Sequence, residues 1–333
     1  MRAFLLNGYG AIAEHVKLAD VAEPVPRSDE VLIDIHAASL NPIDFKIARG
    51  DLKRVSKYQL PRTFGFDASG IVLSAGTQTT QFKPGDVVYA RSSRETIGTF
   101  AEQIALPEAF VARKPAGISH AEAASLPLVG LTTLQGFAKV GARAGQRILI
   151  HAGAGGIGTF AIQYAKQVGL HVTTTTSSKN ADFVKSLGAD RIIAYDRENY
   201  LEQGGDYDIV YDTLGGDFTV DAFKVVKRGG AVISLSGPPD RDFARRMGAG
   251  LVVRVAVWLM SRKVYAASAA SGASYCWFFT EPSGDQLREI AGLVDRGAIK
   301  PVIDREFAFE ELPAALAYLE KGRARGKVVL KAK

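Results

Sequence analysis

The chain has 333 residues, enough to bury two separate cores, and its composition (47% hydrophobic, 23% charged, no low-complexity tract) is that of an ordinary globular protein. Its net charge is +6 with a pI near 9.2, but Lys and Arg are scattered along the chain without a basic–aromatic motif, so no nucleic-acid partner is expected. The single cysteine, Cys276, excludes an internal disulfide and a cysteine-rich zinc site, and gives no sign of an oxidising compartment, so a cytoplasmic location is expected.

In chain order, Met1 to Leu6 is too short for the apolar core of a signal peptide and turns polar at Asn7. From Arg2 to about Pro115 short β-like runs alternate with turns. Val31–Ile35, Gly70–Leu73 and Asp86–Tyr89, the last after the turn Lys83-Pro84-Gly85, predict a compact, barrel-like β domain. From about Ala121 the pattern changes. Leu126–Val140 reads as a helix, followed by strands at 147–151, 171–176, 191–194, 207–212 and 230–235, with helices at 157–168, 180–187 and 218–226 between them. That alternation predicts an α/β, doubly wound parallel sheet with helices on both faces. After Gly237-Pro238-Pro239 an Arg-rich apolar segment runs to about Val264. Its longest apolar stretch, Ala249–Met260, is broken by Arg254 and falls well short of the ~20 residues that span a bilayer, so no stable membrane insertion is expected. The tail returns to mixed structure: a helix at 286–297, a strand at 302–307, a helix at 310–321 and a strand at 327–330. The domain boundaries drawn from this pattern are 1–122, 123–262 and 263–333.

The stretch around which the chain is organised is Arg147 to Lys166. A buried strand, Ile148–Ile150, breaks into glycines, and Ile157, Ala161, Ile162 and Ala165 then recur at helical spacing. Gly153, Gly155 and Gly158 fit the G-x-G-x-x-G dinucleotide fingerprint at a strand-to-helix junction. The first glycine allows the tight turn, the second lets a pyrophosphate approach the backbone, and the third lets helix and strand pack closely. Gly153, Ala154, Gly155, Gly156, Ile157 and Gly158 are therefore the candidate pyrophosphate-binding residues, at the positive end of a helix dipole.

Which nicotinamide cofactor is bound depends on the end of the second strand, where an NAD-type site carries Asp or Glu. Here the strand runs out through Thr176-Ser177-Ser178-Lys179-Asn180, with no acid. Thr176, Ser177 and Lys179 suit a 2′-phosphate, and NADPH is the expected cofactor. Ser177 is equally suited to cap the following helix. Tyr195, ending the next strand, is a candidate for the adenosine end. Leu214, Ser236 and Gly237 follow two further strands and are expected to border the cofactor.

These residues resemble a known group, the zinc-independent quinone oxidoreductases (the ζ-crystallin-like branch) of the medium-chain dehydrogenase/reductase superfamily. The likeness lies in Asn41-Pro42-Ile43-Asp44, Gly65-Phe66-Asp67-Ala68-Ser69-Gly70, Phe82-Lys83-Pro84-Gly85-Asp86, Gly98-Thr99-Phe100-Ala101-Glu102, the glycine loop, Ser186-Leu187-Gly188-Ala189-Asp190, Lys300-Pro301-Val302-Ile303-Asp304 and Arg325-Gly326-Lys327-Val328-Val329-Leu330. The resemblance implies a GroES-like catalytic domain, an inserted Rossmann cofactor domain, a tail that rejoins the catalytic domain, and a homodimer or larger oligomer. Zinc-dependent relatives place Cys where Asn41 stands and Gly-His-Glu where Gly65-Phe66-Asp67 stands, and the five histidines show no paired ligand spacing, so no metal is expected.

The chemistry implied is hydride transfer to a quinone or an α,β-unsaturated carbonyl, in which charge collects on oxygen and a few hydrogen-bond donors suffice. By resemblance Asn41, Asp44 and Thr132 are the candidate catalytic residues, and Arg325 and Lys327 stand where relatives bring a basic side chain to the cofactor phosphates. Read without the resemblance, Asn41-Pro42 with Asp44 is also a good helix start. Lys46, Tyr58 and water remain alternatives for proton delivery. Phe279 either closes over the nicotinamide or packs at an interface. Residues 241–279 read as a lid, an amphipathic membrane-touching surface, or a core or dimer-facing helix. The competing functions are an enoyl-thioester reductase on the same scaffold and a cofactor-binding module with little turnover.

Overall fold

The computed structural model describes residues 1–53, 58–246, 248 and 250–333, and divides the chain into two compact units. The first comprises Met1–Leu131 with Glu281–Lys333, and the second Thr132–Thr280.

The first unit is built on the eleven-residue strand Glu30–Leu40. Its inward Val31, Ile33 and Ile35 alternate with half-buried Leu32, Asp34 and His36, the period-two pattern of a strand with one wet face. From Ala37 to Leu40 burial is complete. This strand pairs antiparallel with three others: Asp67–Ala75, Gln103–Pro107 and Lys327–Lys331. The register against Asp67–Ala75 shifts between Leu32 and Ile33 and again between Ile35 and Ala37, and such irregularities bend a sheet so that it curls around its own core. Val87–Arg91 and Val111–Arg113 extend the sheet on one side and Ile303–Ala308 on the other. A separate three-stranded sheet has Arg2–Leu6 between Val16–Asp20 and Arg62–Thr63. Phe64, Phe66, Phe100, Leu106 and Leu330 fill the core.

The second unit is a six-stranded parallel sheet in the spatial order Arg191–Ala194, His171–Thr176, Arg147–Ile150, Tyr207–Asp212, Val226–Ser234, Ser274–Cys276. Numbered along the chain this is 3-2-1-4-5-6, the doubly wound order, which reverses between Arg147–Ile150 and Tyr207–Asp212. Residues of the central strands bury both faces: Ile148, Ile150, Tyr211 and Ile233 on one, Leu149, Val210 and Val232 on the other. That double burial is why these strands read as unbroken apolar runs. The unit boundaries fall at 131/132 and 280/281, beyond the 122/123 and 262/263 drawn from the sequence. The helix His120–Ala124 packs on strands of the first unit, and Ser274–Cys276 pairs with Ala231–Ile233 in the second.

Candidate active site

In the second unit the chain leaves the strand at Ile150 and turns sharply at Ala152, whose φ of 52° lies in the left-handed region that L-residues avoid. The turn is fixed by the neighbouring strand. Ala152 N–H donates to Thr175 Oγ1 at 3.1 Å and Gly153 N–H to the Thr175 carbonyl at 2.9 Å. A Cβ at Gly153 would stand 2.1 Å from Thr174 Oγ1, and one at Gly158 would stand 2.4 Å from the Ala152 carbonyl oxygen. Neither position admits a side chain. Gly155 differs: a Cβ there meets only the Ala152 oxygen, at 3.3 Å, so its outer side is open. The helix Gly156–Val168 starts at this point with no acidic residue in its first turn. A bare turn under a helix N-terminus fits a dinucleotide pyrophosphate.

At the end of the second strand Ser177 is buried, and its hydroxyl has no hydrogen-bond partner among the described residues. It occupies a cap position without capping: no side-chain cap bond is made there. A buried, unsatisfied hydroxyl costs roughly 1–3 kcal/mol, which a ligand oxygen at that place offsets. Lys179 and Tyr195 are exposed nearby, with Tyr195 N–H bonded to the Thr176 carbonyl at 2.9 Å. The structure adds a residue that the strand-end reading missed. Asp196 accepts from Ser178 N–H at 2.7 Å and from Ser178 Oγ at 2.6 Å, and the Ser178 hydroxyl holds its carboxyl below the usual range. An acid therefore does stand at this corner, on the third strand's end instead of the second's.

The loops after the fourth and fifth strands are tied together by buried Asp212. One oxygen accepts from Leu214 N–H and Gly215 N–H, both at 2.9 Å. The other accepts from Thr219 Oγ1 at 2.5 Å and Ser234 Oγ at 2.6 Å, and Ser234 Oγ in turn accepts from Gly237 N–H. Ser236 Oγ donates to the Thr213 carbonyl at 3.2 Å. Leu214 and Gly237 thus hang from one carboxylate at the sheet's switch point, and Ser236 is tied to Thr213 beside it. His151, beneath the glycine turn, is fully buried 3.2 Å from Thr175 Oγ1, and burial lowers its pKa to about 4, so it is neutral. Thr132 lies 2.8 Å from Thr280 through their hydroxyls, and Phe279 packs edge-on against Trp277 and Phe243.

In the first unit Asn41 ends the central strand and caps the helix Pro42–Arg49. Its N–H donates to Asp44 Oδ2 at 2.6 Å, one half of a capping box, with Pro42 in the first turn and Gly50 (φ 84°) at the helix end. The Asn41 amide is also committed: Nδ2 donates to Asp67 Oδ2 at 2.9 Å, and Oδ1 accepts from Lys327 Nζ at 2.5 Å. Lys327 Nζ donates further to the Leu40 carbonyl at 3.0 Å and stands 3.5 Å from Asp67. Asp67 Oδ1 accepts from Leu128 N–H at 2.9 Å. All four side chains are buried.

Burial dominates the electrostatics. It pushes the Asp44 carboxyl up to about 8, and its Oδ1 has no partner among the described residues. The same desolvation raises Asp67 and lowers Lys327, each offsetting the other as counter-ion. Arg91, also buried, faces the Phe66 ring at 5.4 Å. The structure therefore gathers Asn41 and Asp44 with Lys327 and Asp67 inside the first unit. Among the described residues, the hydrogen bonds and the ion pair of the Lys327 ammonium lie within that unit. Asp67 and Arg91 were not among the expected site residues, because their partners are distant in sequence. Arg325 is exposed in the same unit, while Thr132 belongs to the other unit.

The sequence model described as an alcohol dehydrogenase GroES-like domain matches residues 27–116, and that of a zinc-binding dehydrogenase matches residues 187–330. The donor set does not fit zinc. Asn, Phe and Asp stand at 41, 66 and 67, an ammonium occupies the space beside Asp67, and the described residues hold no group of three metal-ligating side chains. The 2-methylene-furan-3-one reductase of Solanum lycopersicum is 36% identical over 99% of this chain and 79% of its own length. The NADPH-dependent alkenal/one oxidoreductase, chloroplastic, of Arabidopsis thaliana is 33% identical with the same two coverages. The quinone oxidoreductase from Coxiella burnetii superposes with a TM-score of 0.86 at 31% identity, covering 100% of this chain and 99% of that one. With its GroES-like first unit and its doubly wound cofactor unit, the chain belongs to the quinone and alkenal oxidoreductases of the medium-chain dehydrogenase/reductase superfamily.

Proposed function

We propose that this oxidoreductase is NADPH-dependent and reduces quinones or α,β-unsaturated carbonyl compounds. The observation that carries the cofactor choice is the buried Ser177 hydroxyl, without a hydrogen-bond partner among the described residues, at the end of the strand next to the one that leads into the glycine turn. Gly153 to Gly158 would hold the pyrophosphate. Ser177, Lys179 and Tyr195 would hold the 2′-phosphate end, with Leu214, Ser236 and Gly237 along the edge. The names of the relatives support the substrate class. When bound, NADPH supplies the hydride.

The chain's own part in this reading is to bind, to orient and to hold a proton. Thr132 and Phe279 are the residues proposed to meet the nicotinamide end, and Arg325 the cofactor phosphates. Asn41 acts as a positioning residue, because both ends of its amide are already held by Lys327 and Asp67. Asp44 carries a proton on its carboxyl below about pH 8. We further read the protein as a cytoplasmic homodimer, a reading supported by the outer edge of Ser274–Cys276 at the end of the sheet and by its single cysteine.

The test is NADPH oxidation followed by absorbance with a quinone, an enone and an enoyl thioester in turn. Turnover of the quinone or enone is expected. Turnover of the thioester alone would make the protein an enoyl-thioester reductase, and tight NADPH binding with no turnover would make it a binding module.

A further inference from the structure

Residues 241–263 contain six basic residues, Arg241, Arg245, Arg246, Arg254, Arg262 and Lys263, and a single acid, Asp242. That segment carries +5 of the chain's +6, so the rest of the protein is close to neutral. Basic residues are scattered along the chain, as the sequence suggests, but its net charge is not.

The segment also holds seven of the fourteen exposed large hydrophobic side chains among the described residues. The helix Leu251–Ser271 is anchored in the second unit through Val257, Ser261 and Val264. At about 100° per residue, Leu251, Val252, Val255, Trp258 and Leu259 fall within an arc of about 120° on the opposite side. They are exposed, Val252 to 83% and Leu251 to 72%. Arg262 falls in the same arc, and Arg254 and Lys263 lie on its flanks. The helix contains no Asp or Glu at all, and Asp242 is already paired with Arg245. No helix of the described residues is long and apolar enough to cross a membrane.

An apolar stripe framed by cations, anchored by its opposite face, fits an anionic lipid surface: the stripe enters the headgroup boundary and the cations meet lipid phosphates. A second copy of the chain fits less well. A two-fold contact along this helix would set Arg254, Arg262 and Lys263 against the same cations of the partner, with no acid to compensate. We propose that the face formed by Leu251, Val252, Val255, Trp258 and Leu259 docks this protein reversibly on anionic bilayers. The inference does not depend on which substrate is reduced.

Co-sedimentation of the full chain with phosphatidylcholine vesicles, with and without phosphatidylglycerol, tests it. Binding is expected only with the anionic lipid, accompanied by a blue shift of Trp258 emission, and is expected to weaken at high salt. Replacing Arg254, Arg262 and Lys263 together by Gln should lower the partition coefficient about a hundredfold. Leu251→Ser with Val252→Ser should lower it while leaving NADPH oxidation unchanged, because both side chains project into solvent. Equal binding to neutral vesicles, or none to anionic ones, would overturn the proposal. So would concentration-dependent self-association that the same substitutions abolish, because the face would then be a contact between copies.

Discussion

The Asp44 carboxyl offers a quantitative test of how the first unit is held together. Its folded value of about 8 lies far above the unfolded value of about 3.9, because burial penalises the ionised form. Between those two values the unfolded chain has released a proton that the folded chain retains. Stability from this group is therefore fully present below the unfolded value and is lost as pH rises towards the folded one. The slope is about 1.4 kcal/mol per pH unit, so pH 5 to pH 7 costs about 2.7 kcal/mol. Asp44→Asn removes the titration while its side-chain oxygen can still accept from Asn41 N–H. The readout is amide hydrogen exchange of peptides within Glu30–Leu40, compared between wild type and variant at the same pH so that intrinsic exchange rates cancel. The ratio of wild-type to variant protection should fall about a hundredfold from pH 5 to pH 7. A ratio that stays constant across that range would show that Asp44 does not hold its proton, and the burial argument would fail.

Lys327→Met leaves Asp67 buried without its counter-ion and should destabilise the first unit by about 3–5 kcal/mol; adding Asp67→Asn should recover part of that loss, and additive effects in thermal melts would deny the coupling. Gly158→Ala drives a Cβ to 2.4 Å from the Ala152 carbonyl, so NADPH affinity should drop by at least about tenfold by calorimetry, and unchanged affinity would deny the close packing of turn and helix. Ser177→Asp should weaken NADPH about tenfold more than NADH, and equal effects on the two would remove Ser177 from the phosphate end.

Much of the second unit was legible in sequence because its determinants are local. The strands His171–Thr176, Arg191–Ala194 and Tyr207–Asp212 coincide with their expected ranges, since each is a short apolar or β-branched run between turn residues. The glycine turn was legible for the same reason: three glycines at fixed spacing record three close approaches. The short strand Ser274–Cys276 takes its place from pairing with Ala231–Ile233, because three residues carry no period of their own. The Asn41–Asp67–Lys327 cluster joins residues 26 and 286 positions apart, and no local pattern records that meeting. Sequence also placed no acid near Ser177, since Asp196 arrives from the next strand and is held by Ser178. For the outward stripe of Leu251–Ser271 the sequence leaves a lid, a membrane-touching surface and a core or dimer-facing helix open, because apolar spacing along a helix does not say which side is covered.

The strand Lys327–Lys331 pairs with Ala37–Leu40, whereas the six strands of the second unit all fall between residues 147 and 276. During synthesis the inserted unit has all its sheet partners well before the first unit does. The β unit must wait, the Ala37–Leu40 end of its longest strand unpaired on one edge and Asp67 without the Lys327 cation, until Lys331 has been made. Ribosome stalling, or a stop codon ahead of residue 327, would therefore release a chain with a finished nucleotide fold and an unsealed companion, whose bare strand edge invites aggregation.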